Sequence, residues 1–111
     1  MNTTSLYTAR VLTAISMVAS FGVNAQTTTA AAQLHNRATA AMCANCHGTD
    51  GRTTEGSAIP ALVGMPKDYM VLQLKAFKDG TRPATVMHQI TKGLTDAQID
   101  TISSYYAATK R

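Results

Sequence analysis

The chain has 111 residues, ten basic against six acidic, a formal charge of +4, and only two Phe and no Trp. That length bounds it to one small domain, and its basic residues are scattered from Arg37 to Arg111 rather than gathered into the stripe that nucleic acid calls for. So little apolar mass in so short a chain suits a fold that leans on a staple, a metal or a cofactor.

The first 25 residues read as an export signal. Arg10 is their only charge, the run Val11 to Ala25 ("VLTAISMVASFGVNA") is uncharged, and Val23 and Ala25 set small residues where a signal peptidase reads. A retained membrane anchor is the competing reading. It needs about 18 or more consecutive apolar residues, and Thr13, Ser16, Ser20 and Asn24 interrupt this run. Cleavage after Ala25 leaves residues 26–111, with a charge of +3 once Arg10 is lost. The expected location is then the periplasm of a bacterium, with no stable membrane span.

Residues 26–33 ("QTTTAAAQ") carry no apolar period and are expected to be a flexible tether, so the folded domain spans 34–111. From Leu34, "LHNRATAAMCANCHG" meets no Pro or Gly before Gly48, which predicts a helix running through Cys43 and Cys46 and stopping at Gly48. Thr49 to Gly64 holds Gly51, Gly56, Gly64 and Pro60 and predicts an extended loop. Met65 to Gly80 predicts a second helix: Pro66 suits a first turn, Tyr69, Met70, Leu74 and Phe77 fall near one face, and Gly80 is a stop.

Thr81 to Gly93 predicts a loop through Pro83 and then two helical turns. Thr95 and Gln98 make a capping box, Leu94 and Ile99 are spaced as a hydrophobic staple across it, and Ile99, Ile102 and Tyr106 recur at helical spacing. No strand pattern and no internal repeat emerges. The fold class is all-α.

The segment Cys43-Ala44-Asn45-Cys46-His47 holds both cysteines of the chain. A disulfide is compatible with export, but it would close a very short loop and constrain the unfolded chain little. A redox-active dithiol of this spacing belongs with a βαβ pattern, which the chain lacks. A structural zinc wants four protein ligands, and three adjacent ones are present. C-x-x-C-H is also the attachment signal of c-type haem. Two thiols three residues apart share a helix face, where both can form thioethers to the porphyrin vinyl groups while His47 binds the iron.

A proximal His47 needs an acceptor for its other ring nitrogen, and the Pro60 carbonyl is the candidate; a simple stiffening of the loop is the alternative. For the opposite axial position, thioether ligation is the usual pairing in electron carriers. Met87, 40 residues beyond His47, is the leading choice, with Met65 and the neighbouring His88 as competitors; Met42 adjoins Cys43, and Met70 lies on an apolar helix face. Ile59, Leu62, Val63, Leu74, Phe77 and Ile90 would pack on the haem or form ordinary core.

With "CANCHGTDG", "IPALVGMP", "QLKAFKDGTRPATVMHQITKGLTDAQI" and "ISSYYAA" the chain resembles the class I cytochromes c from about Leu34 to Ala108. The second half is similar, more narrowly, to the cytochrome subunit of flavocytochrome c sulfide dehydrogenase. The resemblance implies three main helices plus shorter ones around one covalent haem c. It carries Cys43, Cys46, His47 and Met87 over as the cofactor-binding residues, with His47 and Met87 on the metal. It also implies a crossing of the last helix, through Tyr105 or Tyr106, over the first near Ala40 and Ala41.

The function expected is periplasmic one-electron transfer, without catalysis at the iron. The partner implied is an FAD-containing sulfide dehydrogenase subunit, with other periplasmic redox proteins as alternatives. A free-standing carrier to a terminal oxidase or another dehydrogenase is the first rival, and a haem-free periplasmic thiol–disulfide protein the second. Lys75, Lys78, Arg82 and Lys92 offer either a docking rim or a solvated face.

Overall fold

A computed structural model describes residues 22–111, so residues 1–21 of the expected export signal lie outside the described residues. Four α-helices follow in order: α1 (Gly22–His47), α2 (Lys67–Lys78), α3 (Met87–Lys92) and α4 (Asp96–Ala108), with one 3-10 turn at Thr49–Gly51. No strand occurs among the described residues. The chain divides into two units, residues 1–32 and 33–111. The second carries the core and every residue of interest.

α1 stops at His47 because Gly48 turns the chain with φ 79° and ψ 162°. Residues 26–33, expected as a tether, are helical. Ala30, Ala31 and Ala32 are the strongest helix formers, and no Gly or Pro breaks the run before His47. The lack of an apolar period shows instead in exposure: every residue from 29 to 38 faces solvent.

α2 begins one residue later than its proline suggested. Pro66 has φ −55° and ψ 133° and sits at the N-cap rather than in the first turn. Met70 and Leu74 are its buried face. Tyr69, expected on that face, is half exposed at 50%, since it leads Met70 by a full 100° step around the helix. α4 starts as the sequence predicts. The Thr95 side chain accepts from the Gln98 backbone, and the Gln98 side chain accepts from the Thr95 backbone. Leu94 and Ile99, the two staple residues, are both buried.

α2 packs on both α3 and α4, and the core they enclose is Ala40, Met70, Leu74, Leu94, Ile99, Ile102 and Tyr106. The Tyr106 hydroxyl donates to the Ala40 carbonyl at 2.7 Å, which fixes α4 to α1 where a small residue allows close approach. Tyr105 stands edge-on to Tyr106, ring centroids 5.2 Å apart, and its hydroxyl donates to Asp50 at 3.0 Å.

The basic residues offered as a docking rim are mostly engaged inside the molecule. Lys75 and Lys78 pair with Asp96, and Lys78 also donates to the Leu94 carbonyl at 2.7 Å. Arg82 lies over the Phe77 ring and bonds Gln73. Ion pairs this exposed contribute little stability; the Lys78–Leu94 bond ties the end of α2 to the turn between α3 and α4.

Burial lifts the Tyr106 phenol far above its ordinary value of 10.0. Below pH 10 the folded and unfolded chains both keep that proton. As pH rises past 10 the unfolded chain ionises first, so it binds fewer protons and stability falls until the folded-state value is passed. We expect urea midpoints, followed by far-UV circular dichroism, to decline above pH 10, and the decline to be shallower in Tyr106→Phe. An equal decline in both proteins would remove Tyr106 as its source.

Candidate haem-binding site

The end of α1 and the loop after it bring the predicted residues together. His47 is 8% exposed, and its Nδ1–H donates to the Pro60 carbonyl at 2.7 Å. That bond commits Nδ1 and leaves Nε2 as the lone-pair nitrogen of the neutral ring, the arrangement a metal-binding imidazole needs.

The loop is fixed for this bond by its own backbone. The Gly51 carbonyl accepts from Leu62 and Val63 at 2.8 and 3.2 Å, and Gly64 donates to the Tyr106 carbonyl at 2.9 Å. Pro60 is thereby held two residues from a clamp on the turn that follows His47. Gly51 itself has φ +74°, and an added Cβ would lie 2.8 Å from the Tyr106 ring. The turn therefore needs glycine twice over, for its dihedral and for the ring above it.

Cys43 is half-buried, Cys46 is exposed, and the two are free thiols. Burial pushes the Cys43 thiol up from its ordinary value. A redox dithiol activates its nucleophile by lowering a thiol pKa, so Cys43 departs in the wrong direction for that rival. Among the described residues no group of three His, Cys, Asp or Glu side chains is placed to hold a metal ion.

Met87 opens α3, half-buried, and packs against the core. Met65 packs against the same core, whereas Met70 is 3% exposed within it and Met42 is 44% exposed. Met87 and Met65 thus both lie at the half-buried margin of the core. His88 is half-buried, and its Nδ1 is enclosed without a hydrogen-bond partner.

The apolar residues expected to meet the haem differ in burial. Leu74 is core, Leu62 packs against that core, and Val63 and Phe77 are half-buried. Ile59, beside Pro60, and Ile90, one turn from Met87, are each 40% exposed; Val86, not among those expected, is 55% exposed. A covalent haem fits these residues: free thiols on one helix turn, an imidazole with Nδ1 already committed, and uncovered apolar side chains flanking both Pro60 and Met87.

Sequence reading missed three contacts: the Asp50–Tyr105 bond, the Gly51 clamp, and Lys78 on the Leu94 carbonyl. Asp50 has a left-handed backbone at φ 52°, a position where Asp is tolerated better than most residues. That tolerance was the only sequence signal available. A cavity of about 150 Å³ lies beside it, lined by Arg37, Ala41, Ala44, Thr49, Asp50 and the two tyrosines.

Comparison with known proteins agrees with this geometry. Residues 35–110 match the family model for cytochrome c. The chain is 42% identical over 64 residues to a "Cytochrome subunit of sulfide dehydrogenase" from Chlorobaculum tepidum, covering 58% of this chain and 56% of that protein. It is 38% identical over 71 residues to a "Thiosulfate dehydrogenase electron acceptor" from Thiomonas intermedia, covering 64% of this chain and 33% of that one. The chain therefore spans between a third and three-fifths of the length of these relatives. A cytochrome c4 structure from Acidithiobacillus ferrooxidans superposes with a TM-score of 0.56 at 38% identity, covering 60% of this chain and 37% of the other. The family domain implies covalent haem c and electron transfer rather than catalysis. With the strand-free helical fold and Cys43, Cys46 and His47 in C-x-x-C-H spacing, the chain belongs to the cytochrome c family and has the class I fold.

Proposed function

We propose that this cytochrome serves in the periplasm as the monohaem electron acceptor of an FAD-containing sulfide dehydrogenase subunit. Cys43 and Cys46 are the thioether anchors, His47 is the proximal iron ligand through Nε2, and Met87 is the distal one. The observation that carries the ligand assignment is the His47–Pro60 hydrogen bond at 2.7 Å, because it fixes which nitrogen is free to bind. Support for the partner is the 42% identity to a sulfide dehydrogenase cytochrome subunit.

When bound, the haem supplies a one-electron iron couple. The Pro60 carbonyl orients the His47 ring, which would hold Nε2 ready for the iron. A Met87 thioether would raise the potential relative to a second imidazole and would leave no open position for substrate. Residues 1–25 direct export and are removed after Ala25. No helix among the described residues is long and apolar enough to cross a membrane.

A second reading has its own observation. The 38% identity to a thiosulfate dehydrogenase electron acceptor favours a carrier serving a different sulfur-oxidising donor. Purification from the source organism separates the two. A tight complex with a flavoprotein, whose addition makes haem reduction by sulfide fast, is the expected result. A lone cytochrome that thiosulfate dehydrogenase reduces and the flavoprotein does not would contradict it.

A further inference from the structure

α3 is six residues long, and no side chain caps its N-terminus. Isolated helices much shorter than about 12 residues are marginal in water, so α3 has to be held from outside. Its C-terminal side is anchored well. Thr91 and Leu94 are 0% and 6% exposed, Leu94 N–H donates to the Thr91 carbonyl at 3.1 Å, and Lys78 donates to the Leu94 carbonyl at 2.7 Å.

Its N-terminal side is loose by comparison. Val86 is 55% exposed and Ile90 40% exposed, and Met87 and His88 are only half-buried. One side chain connects the two sides. The Thr91 hydroxyl, fully buried, donates to the Met87 carbonyl at 2.8 Å and lies 3.4 Å from the His88 carbonyl.

We propose that Thr91 is a positioning residue for the distal ligand: its hydroxyl transfers the anchor at the end of α3 to the backbone of Met87 and holds the thioether on the iron. The inference rests on the assignment of Met87 above. Nothing in the sequence marks Thr91, since a threonine inside a helix is ordinarily a poor helix former whose hydroxyl bonds back to a preceding carbonyl. What gives this one a role is the identity of that carbonyl: the bond reaches from a fully buried side chain to the backbone of Met87, whose own side chain is only half-buried against the core.

The test is displacement of the distal ligand by imidazole in the ferric holoprotein, read at fixed pH by loss of the weak red-edge band of a thioether–iron(III) bond. Thr91→Val keeps the side-chain shape and removes the donor. One hydrogen bond of ordinary net strength shifts a local equilibrium by roughly three- to tenfold, and the apparent imidazole affinity follows the population with the thioether dissociated. Imidazole is expected to bind Thr91→Val about three- to tenfold more tightly, Thr91→Ala in the same direction, and Thr91→Ser like the wild type.

A merely structural role would lower the urea midpoint and leave the imidazole affinity unmoved. Unchanged affinity in Thr91→Val and Thr91→Ala overturns the proposal, as does a Thr91→Ser protein that behaves like Thr91→Val. Met87→Ala separates the two levels. A band that survives it overturns the axial assignment and the proposal together; a band it abolishes, with affinity unmoved in Thr91→Val, overturns the proposal alone.

Discussion

Gly48→Ala is expected to lower stability by ~3 kcal/mol or more and, for a domain of this size, to depress the melting temperature by roughly 12 °C or more. Gly48 has φ 79° and ψ 162°, a region that residues with a side chain scarcely enter. An alanine Cβ there would sit 2.0 Å from the Arg52 carbonyl oxygen and 2.7 Å from its carbon. Those are backbone atoms, tied into the turn by the Gly51–Gly48 and Arg52–Thr49 bonds of 2.8 and 3.0 Å, so the clash cannot be relieved by a rotamer change.

The site makes this more than a stability effect. Gly48 follows His47 directly, and any backbone shift that accommodates the methyl group moves the imidazole away from Pro60. Gly56→Ala is the control. It too has positive φ, +77°, but an added Cβ meets nothing within 4 Å, so its cost is only the left-handed backbone, about 1–2 kcal/mol. Thermal unfolding of the two variants decides the point: equal losses would mean that the contact with Arg52 is not what requires glycine.

Tyr106→Ala is the second large effect, expected to cost about 3–5 kcal/mol. Tyr106 is 1% exposed, its ring covers Gly51, and its hydroxyl reaches the Ala40 carbonyl. Removing the ring opens a cavity between α4, α1 and the turn that positions Pro60. Tyr106→Phe keeps the ring and loses only the hydrogen bond, a cost of about 1 kcal/mol. The gap between the two variants in urea unfolding measures the ring against the hydroxyl. A Tyr106→Phe protein as unstable as Tyr106→Ala would reverse that apportionment and make the hydroxyl the dominant tie.

The parts of this molecule that were legible in the sequence are those with local chemical causes. The start of α4 follows from Thr95 and Gln98, three residues apart. The stop of α1 follows from Gly48, and the buried stripe of Ile99, Ile102 and Tyr106 from helical spacing. The Pro60 carbonyl was reachable as well, because a histidine next to C-x-x-C needs an acceptor and a proline-bearing loop follows it. The crossing of Tyr106 over Ala40 came from family resemblance rather than from the residues themselves.

What stayed hidden has long-range causes. The Asp50–Tyr105 bond joins residues 55 positions apart, and no local pattern announces it. Lys78 read as solvated charge, since its ordinary role is exposure; its bond to Leu94 exists only because α2 and α3 pack together. Residues 26–33 were misjudged for a different reason. A missing apolar period says that a segment has no buried face, and that is compatible with an exposed helix.

The most direct test of this cytochrome as a His–Met electron carrier is the ferric absorption spectrum of the holoprotein and three variants, expressed with the haem-attachment machinery. The wild type, Met65→Ala and His88→Ala should each show a Soret band that stays with the polypeptide on denaturation, together with the weak red-edge band of a thioether–iron(III) bond. Met87→Ala should keep the first and lose the second. A colourless folded protein, or a red-edge band that survives Met87→Ala and disappears in Met65→Ala, would contradict the assignment.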